Sequence, residues 1–331
     1  MTIPTSPAES IRQQLGRLDQ AQTELDGVPT GDTLTESFRE KTQQRLNDRR
    51  ALLNNELSLQ NDLDQLQARL RETPATDKQT VAELKKSIAE KQKAKANLLK
   101  SQRSFGGGRR QFGDVCIACM SKEIQRVKDV ANYQPISAQQ LYDVMHQRNP
   151  QFTLADAERH VGPLNDAMRE FAINTPQRQA AFLSQVAVET DGLRTFNEYG
   201  SNRYFARYNN RRDLGNTEPG DGPRFHGRGA IQTTGRANYR RVGQALGVDF
   251  ENSPELLAEP EHAYRSAGYY YTEQRNLNRF ADEDDILHVS TGVNGRNRNT
   301  GLPNHWAERQ ESYNTARTTL GLPALSPPPR P

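Results

Sequence analysis

Only two of the 331 residues are cysteine, Cys116 and Cys119. A structural zinc site wants four ligands, and neither a second Cys pair nor a nearby His pair accompanies them. A redox Cys-x-x-Cys normally follows a strand in a βαβ unit, and no such unit is legible around Asp114–Met120. Three readings stay open for the pair: no special role, a local disulfide, or a metal or disulfide shared between subunits. Long apolar runs are also missing. None approaches the roughly 18–20 residues of a membrane span. Met1–Ser10 has neither the basic nor the apolar region of a secretory signal. The expectation is a protein made in the cytoplasm that reaches any outside target by another route. With 34% hydrophobic residues and a mean hydropathy of −0.91, one compact core using every residue is excluded.

Lysine is absent from the second part of the chain. All ten lysines lie at or before Lys128, and beyond it the only strong base is arginine. Residues 1–133 hold 22 Lys+Arg and 18 Asp+Glu, whereas residues 134–331 hold 22 and 23. This shift places a joint between two modules near 105–135, in line with the two or three domains expected for this length.

Along residues 9–28, Ile11, Leu15, Leu18 and Leu25 recur at helical spacing, and Gly27–Gly31 breaks the pattern. A second helix is expected over about 35–72, ended by Pro74, which disfavours helix at the residue before it. A third spans about 77–104. Narrow apolar stripes on long charged helices predict a coiled coil or thin bundle over 1–104. A docking or oligomerisation stalk and a plain spacer both fit. Interleaved acids argue against nucleic acid as a partner. Residues 105–134 read as a Gly-rich linker plus a connecting helix carrying the cysteines. Helices are expected from Ser137, from Pro163, and from Thr175-Pro176, where a cap and an N1 proline start the helix that bears Glu189. Later ones are expected at 238–246, 261–274, 282–289 and 306–320. The 135–322 module is therefore mainly α, and 323–331 is a Pro-rich tail.

The chemistry centres on 180–239. The apolar run Ala180–Val188 delivers Glu189, and a carboxyl emerging there is partly out of water, which suits a proton donor. A capping or salt-bridged Glu is the plain alternative. Glu198 follows in a polar turn, and two carboxylates on different elements can face each other across a groove, as glycoside hydrolysis requires. Asp191 competes, although its helical offset points it elsewhere. Between Arg203 and Arg241 stand nine arginines against Asp213, Glu218 and Asp221. Such an excess would attract an anionic polymer, unless the arginines pair with the helical body. Gly227 and Gly229 allow close backbone approach. Gln232, Asn238, Thr233 and Thr234 offer hydrogen bonds to acetamido and hydroxyl groups. No P-loop Lys follows the Gly-x-Gly, so it is not a nucleotide loop.

These residues carry a resemblance. Glu189-Thr-Asp-Gly-Leu193, Asp213–Gly222, Gly227-Arg-Gly-Ala-Ile-Gln-Thr-Thr-Gly-Arg-Ala-Asn-Tyr239, Thr291–Gly295 and Trp306–Tyr313 together resemble glycoside hydrolase family 19, chitinases and phage-type endolysins. The resemblance covers about 135–322. It implies a lysozyme-like α fold and an inverting mechanism without cofactor or metal. Glu189 would be the general acid, Glu198 the base, and Thr234 the hydroxyl that helps hold the water. Gln232, Asn238, Tyr239, Asn294 and Arg309 would bind sugar or support the carboxylates. Two positions depart from the family: Val188 stands where His is common before the acid, and Glu218 where Gln is usual. The short spacing of the glutamates and Asp213–Thr217 favour the endolysin side.

The function expected is a peptidoglycan hydrolase cutting β-1,4 bonds. Chitinase activity and a non-catalytic wall-binding role are the alternatives. With no secretory signal expected, delivery to the wall would follow holin-type release, virion injection or a secretion machine. The N-terminal helices would then dock on a phage or secretion component, and an effector would have an immunity protein as partner.

Overall fold

The computed structural model describes residues 6–104 and 117–325, with the side chains of 101–119 outside the description. The readings placed on the Cys116 and Cys119 side chains, the Gly-rich linker and Ser326–Pro331 therefore lie outside what is described. The chain divides into two units, 1–131 and 132–331.

In the first unit, helices α1 (Pro7–Asp26), α2 (Thr33–Glu72), α3 (Lys78–Ser104) and α4 (Ile117–Ala131) form a thin bundle. Ser6 and Asp32 cap α1 and α2 by accepting from Glu9 N and Thr35 N. Leu18, Leu25, Leu46 and Leu53 are buried together with Ile124 and Val127 of α4. The helix expected as a connector thus belongs to this core. Antiparallel pairing shows in the contacts Gln22–Gln43 and Asp19–Arg50 between α1 and α2. Lys91–Asp62 and Lys95–Gln60 show the same for α2 and α3. Exposed pairs like these contribute at most about 1 kcal/mol each, so the apolar stripe holds the bundle.

The second unit is helical throughout, as expected, with isolated β-bridges but no longer strand among the described residues. Helices α5 (Ala138–Arg148), α6 (Leu154–Glu170) and α7 (Pro176–Glu189) lead into short α8 (Asn202–Phe205) and α9 (Asp221–Arg224). Then follow α10 (Arg236–Leu246), α11 (Pro260–Tyr269), α12 (Asn278–Ala281), α13 (Ile286–Asn294) and α14 (Trp306–Thr319). Helix α6 starts nine residues before Pro163, because Thr153 and Asp156 make a reciprocal capping box that outweighs the proline's missing donor. The α11 segment passes into a π-helical turn over Tyr270–Gln274. Pro323 and Leu325 are not free tail: their backbone bonds to Arg317 and Asn314 of α14.

Helix α7 is the centre, packed by α5, α12, α13 and α14. Every residue from Gln179 to Val188 is buried. Burying a side chain such as Phe182 or Leu183 contributes about 1.5–3 kcal/mol, so this run anchors the helix firmly. Its last residue is Glu189, which makes the best-packed helix the support for the first carboxylate.

Candidate active site

Thr175 caps α7 by accepting from Arg178 N, and Pro176 occupies the first turn. At the other end, Thr190 Oγ1 donates to Val186 O and accepts from Leu193 N. Gly192 closes the helix with φ 70°, where a Cβ would lie 2.6 Å from Asn149 Cβ. Glu189 therefore projects from a fixed helix end. Its Oε1 accepts from Arg309 Nη2 at 2.5 Å, whereas Oε2 takes no hydrogen bond from the described residues. Arg309, on α14, is 1% exposed, and its other nitrogens donate to Gln185 Oε1 and Asn304 O. It supports the carboxylate from behind rather than facing a groove. Asp191, the competing acid, is occupied by Arg194 at 2.6 Å and Arg148 at 3.8 Å.

Glu198 is set by a small β-like crossing. Asn197 bridges Arg228, and Arg228 bridges Thr233. Glu198 N donates to Gly227 O at 2.8 Å, and Gly227 N donates to Glu198 Oε2 at 3.0 Å. A Cβ on Gly227 would lie 2.6 Å from Gln232 Oε1 and 3.2 Å from Glu198 Oε2, so any larger residue would displace the Gln232 amide and crowd the Glu198 carboxylate. The other oxygen, Oε1, accepts from Tyr208 OH at 2.8 Å and Arg207 Nη2 at 3.2 Å. Arg207 also donates to Tyr208 OH at 2.7 Å and lies 3.7 Å over the Tyr204 ring. Burial, followed by the neighbouring Glu198 charge, pushes the Tyr208 hydroxyl above its usual range, keeping it a donor. His226 stacks on Phe205 at 4.3 Å, and burial holds its pKa below the ordinary value, favouring the neutral ring beside Glu198.

Tyr208 and Arg207 escaped sequence reasoning. They lie on the short turn after α8, and no periodicity links that turn to Glu198. The one usable signal was aromatic residues beside arginine in Tyr204–Tyr208.

The Gly227–Tyr239 loop holds the remaining expected residues. Gln232 adopts φ 43° and donates from Nε2 to Gly229 O at 3.0 Å. Thr234 Oγ1 donates to Gln232 O at 3.1 Å, leaving its lone pairs to accept. Asn238 Nδ2 donates to Thr234 O at 2.7 Å, and its Oδ1 accepts from Arg241. Gln232, Thr234 and Asn238 help line a pocket of about 300 Å³. Tyr239 does not: it is 0% exposed, packed edge-on against Phe225, with its hydroxyl donating to His226 O. The expectation that Tyr239 binds substrate is corrected to a core role that fixes the loop. Asn294, at the end of α13, accepts from Asn304 N and so ties the 294–304 loop.

The two departures from the family pattern sit apart. Val188 is buried in α7, and Glu218 is exposed, joining a turn through its backbone to Asp221. Several of the nine arginines pair with acids: Arg207 with Glu198, Arg211 with Asp213, Arg236 with Asp221 and Glu251, and Arg240 with Glu251. Among the described residues no group of three or more His, Cys, Asp or Glu could hold a metal ion, and no helix is long and apolar enough to cross a membrane.

Residues 169–283 match the family model of glycoside hydrolase family 19, described as chitinase class I. An acidic 27 kDa endochitinase of Solanum lycopersicum is 38% identical over 81 residues, which is 24% of this chain and 29% of that protein. Acidic endochitinase Q of Nicotiana tabacum is 38% identical over 110 residues, 33% of this chain and 39% of that protein. The chain thus spans roughly a third of the length of these curated relatives. Chitinase C from Streptomyces griseus HUT6037 superposes with a TM-score of 0.47 at 22% identity, covering 58% of this chain and 95% of that one. The stretch that matches the glycoside hydrolase family 19 model contains Glu189, Glu198 and Thr234.

Proposed function

We propose that the second unit is an inverting glycoside hydrolase that cleaves β-1,4 bonds between N-acetylated amino sugars, with bacterial cell-wall glycan as its substrate. One observation carries the reading. Two glutamates from different elements are each held in place, Glu189 through Oε1 by Arg309, and Glu198 through Oε1 by Tyr208 and Arg207 and through Oε2 by Gly227 N. Glu189 Oε2, without a partner among the described residues, donates its proton to the glycosidic oxygen as the bond to the anomeric carbon breaks. Glu198 takes a proton from the water that attacks that carbon from the opposite face, inverting it. Thr234 Oγ1 accepts from, and so helps place, the same water.

The endolysin-like spacing of the glutamates favours cell wall. Relatives named endochitinases favour chitin, the second reading. In the cell-wall reading the long helical first unit serves delivery, by docking on a phage or secretion component, and an immunity protein would be the partner of an effector. Purified protein should release reducing ends from peptidoglycan, and mass spectrometry of the digest names the bond and anomer. Glu189→Gln and Glu198→Gln should each abolish release. Full activity in Glu189→Gln would sink the assignment, and cleavage of chitin oligomers alone would select the second reading.

A further inference from the structure

The charge of the pocket beside the Gly227–Asn238 loop is unbalanced. Arg241, Tyr270 and Arg275 line it together with Gln232 and Asn238. Arg241 Nη1 donates to Asn238 Oδ1 at 3.1 Å, and Arg275 Nε donates to Tyr270 OH at 3.0 Å. The Arg275 guanidinium also lies 5.2 Å over the Tyr270 ring. Both cations are thus oriented by neutral groups, and neither pairs with a carboxylate among the described residues. Their neighbours behave otherwise: Arg236 and Arg240 share Glu251, which holds them on the helical body. Two guanidiniums around one pocket, aimed but not neutralised, match the bidentate recognition of a carboxylate.

The rest of the pocket suits a sugar. Ile231 and Val293 give it apolar surface, and Asn238 and Gln232 bring amide groups. Gln232, which lines the pocket, also brings its Oε1 close to Gly227, whose N–H donates to Glu198 Oε2. Tyr270 and Gln274 of the π-helical turn after α11, and Arg275 that caps it, all line the cavity.

We infer that this pocket is a subsite for a carboxylate-bearing amino sugar, with Arg241 and Arg275 selecting the anion. The inference rests on the glycosidase reading of the adjacent carboxylates and supplies what that reading lacks, a feature that separates cell-wall glycan from neutral chitin. The carboxylate has two sources in that polymer: the lactyl substituent of the sugar, or the stem peptide attached to it.

Binding of three probes to the full chain tests this: peptide-free glycan strands with free lactyl carboxylates, strands still carrying stem peptides, and chito-oligosaccharides of equal length. At low salt the anionic strands should bind about tenfold tighter than the neutral ones, the size expected for two exposed ion pairs. In Arg241→Gln/Arg275→Gln the anionic-to-neutral ratio should fall toward one, with each single variant in between. An arginine-dependent advantage for peptide-free strands assigns the lactyl group, and one confined to peptide-bearing strands assigns the peptide. Equal loss for anionic and neutral probes, or no loss for either, overturns the subsite. Cleavage by the wild type without arginine dependence removes this inference alone. Arginine-dependent binding with no cleavage removes the glycosidase reading instead.

Discussion

Replacing Arg309 with Met asks how much the site depends on one buried fork. The guanidinium reaches Asn304 O at 2.9 Å, Gln185 Oε1 at 2.6 Å and Glu189 Oε1 at 2.5 Å. Met fills similar space but donates nothing. Gln185 is 0% exposed, so its oxygen would lose its partner without gaining water, a cost of about 1–3 kcal/mol. Breaking a buried ion pair from one side costs about 3–5 kcal/mol. Glu189 keeps 16% of its side-chain surface in contact with solvent, which puts that cost at the low end. The two overlap, so a loss of about 4 kcal/mol is expected. For a unit of this size that lowers Tm by roughly 8–16 °C. The only tryptophan, Trp306, lies three residues from Arg309 on the same helix, so its fluorescence reports the melting of this unit alone. Glycan cleavage should fall by more than about tenfold, because the proton donor loses its anchor. Arg309→Lys keeps the charge but not the fork, and should fall between the two. A Met variant melting within about 2 °C of wild type, with unchanged cleavage, would refute the reasoning.

Tyr208→Phe removes the 2.8 Å donor to Glu198 but leaves Arg207 and Gly227 N in place. A lost charge-assisted bond at a partly solvated site is worth about 1 kcal/mol, so kcat should fall about fivefold with little change in Tm. An unchanged kcat would show that Tyr208 does not position the base. Stability should also respond to acid through Glu251, whose pKa is lowered from 4.5 to about 2, first by its hydrogen bond from Arg240 and then by Arg236. A depressed carboxyl stabilises the fold above its unfolded value and loses that contribution as pH falls toward 2. Urea melts followed at Trp306 should therefore lose stability over that interval less steeply in Glu251→Gln than in wild type, and parallel slopes would refute the coupling.

Much of the helical layout was legible because its determinants are local. Caps such as Ser137 and Thr175, the N1 Pro176 and the apolar run to Val188 act within one or two turns, so the sequence places Glu189 at the end of a buried helix. The Gly227–Tyr239 motif was equally visible. Its directions were not. Asn238 and Tyr239 are adjacent on α10, but neighbours on a helix point about 100° apart, so one lines the pocket and the other is buried against Phe225. Arg309 lies 120 residues after Glu189, and only the packing of α14 on α7 decides that it backs the carboxylate. Tyr208 and Arg207 reach Glu198 through a turn with no sequence period. The sequence by itself determined which helices form and which glutamates are presented. The tertiary structure decided what holds each glutamate and which arginines pair with an acid, because ion pairs and close packing join residues far apart in the chain.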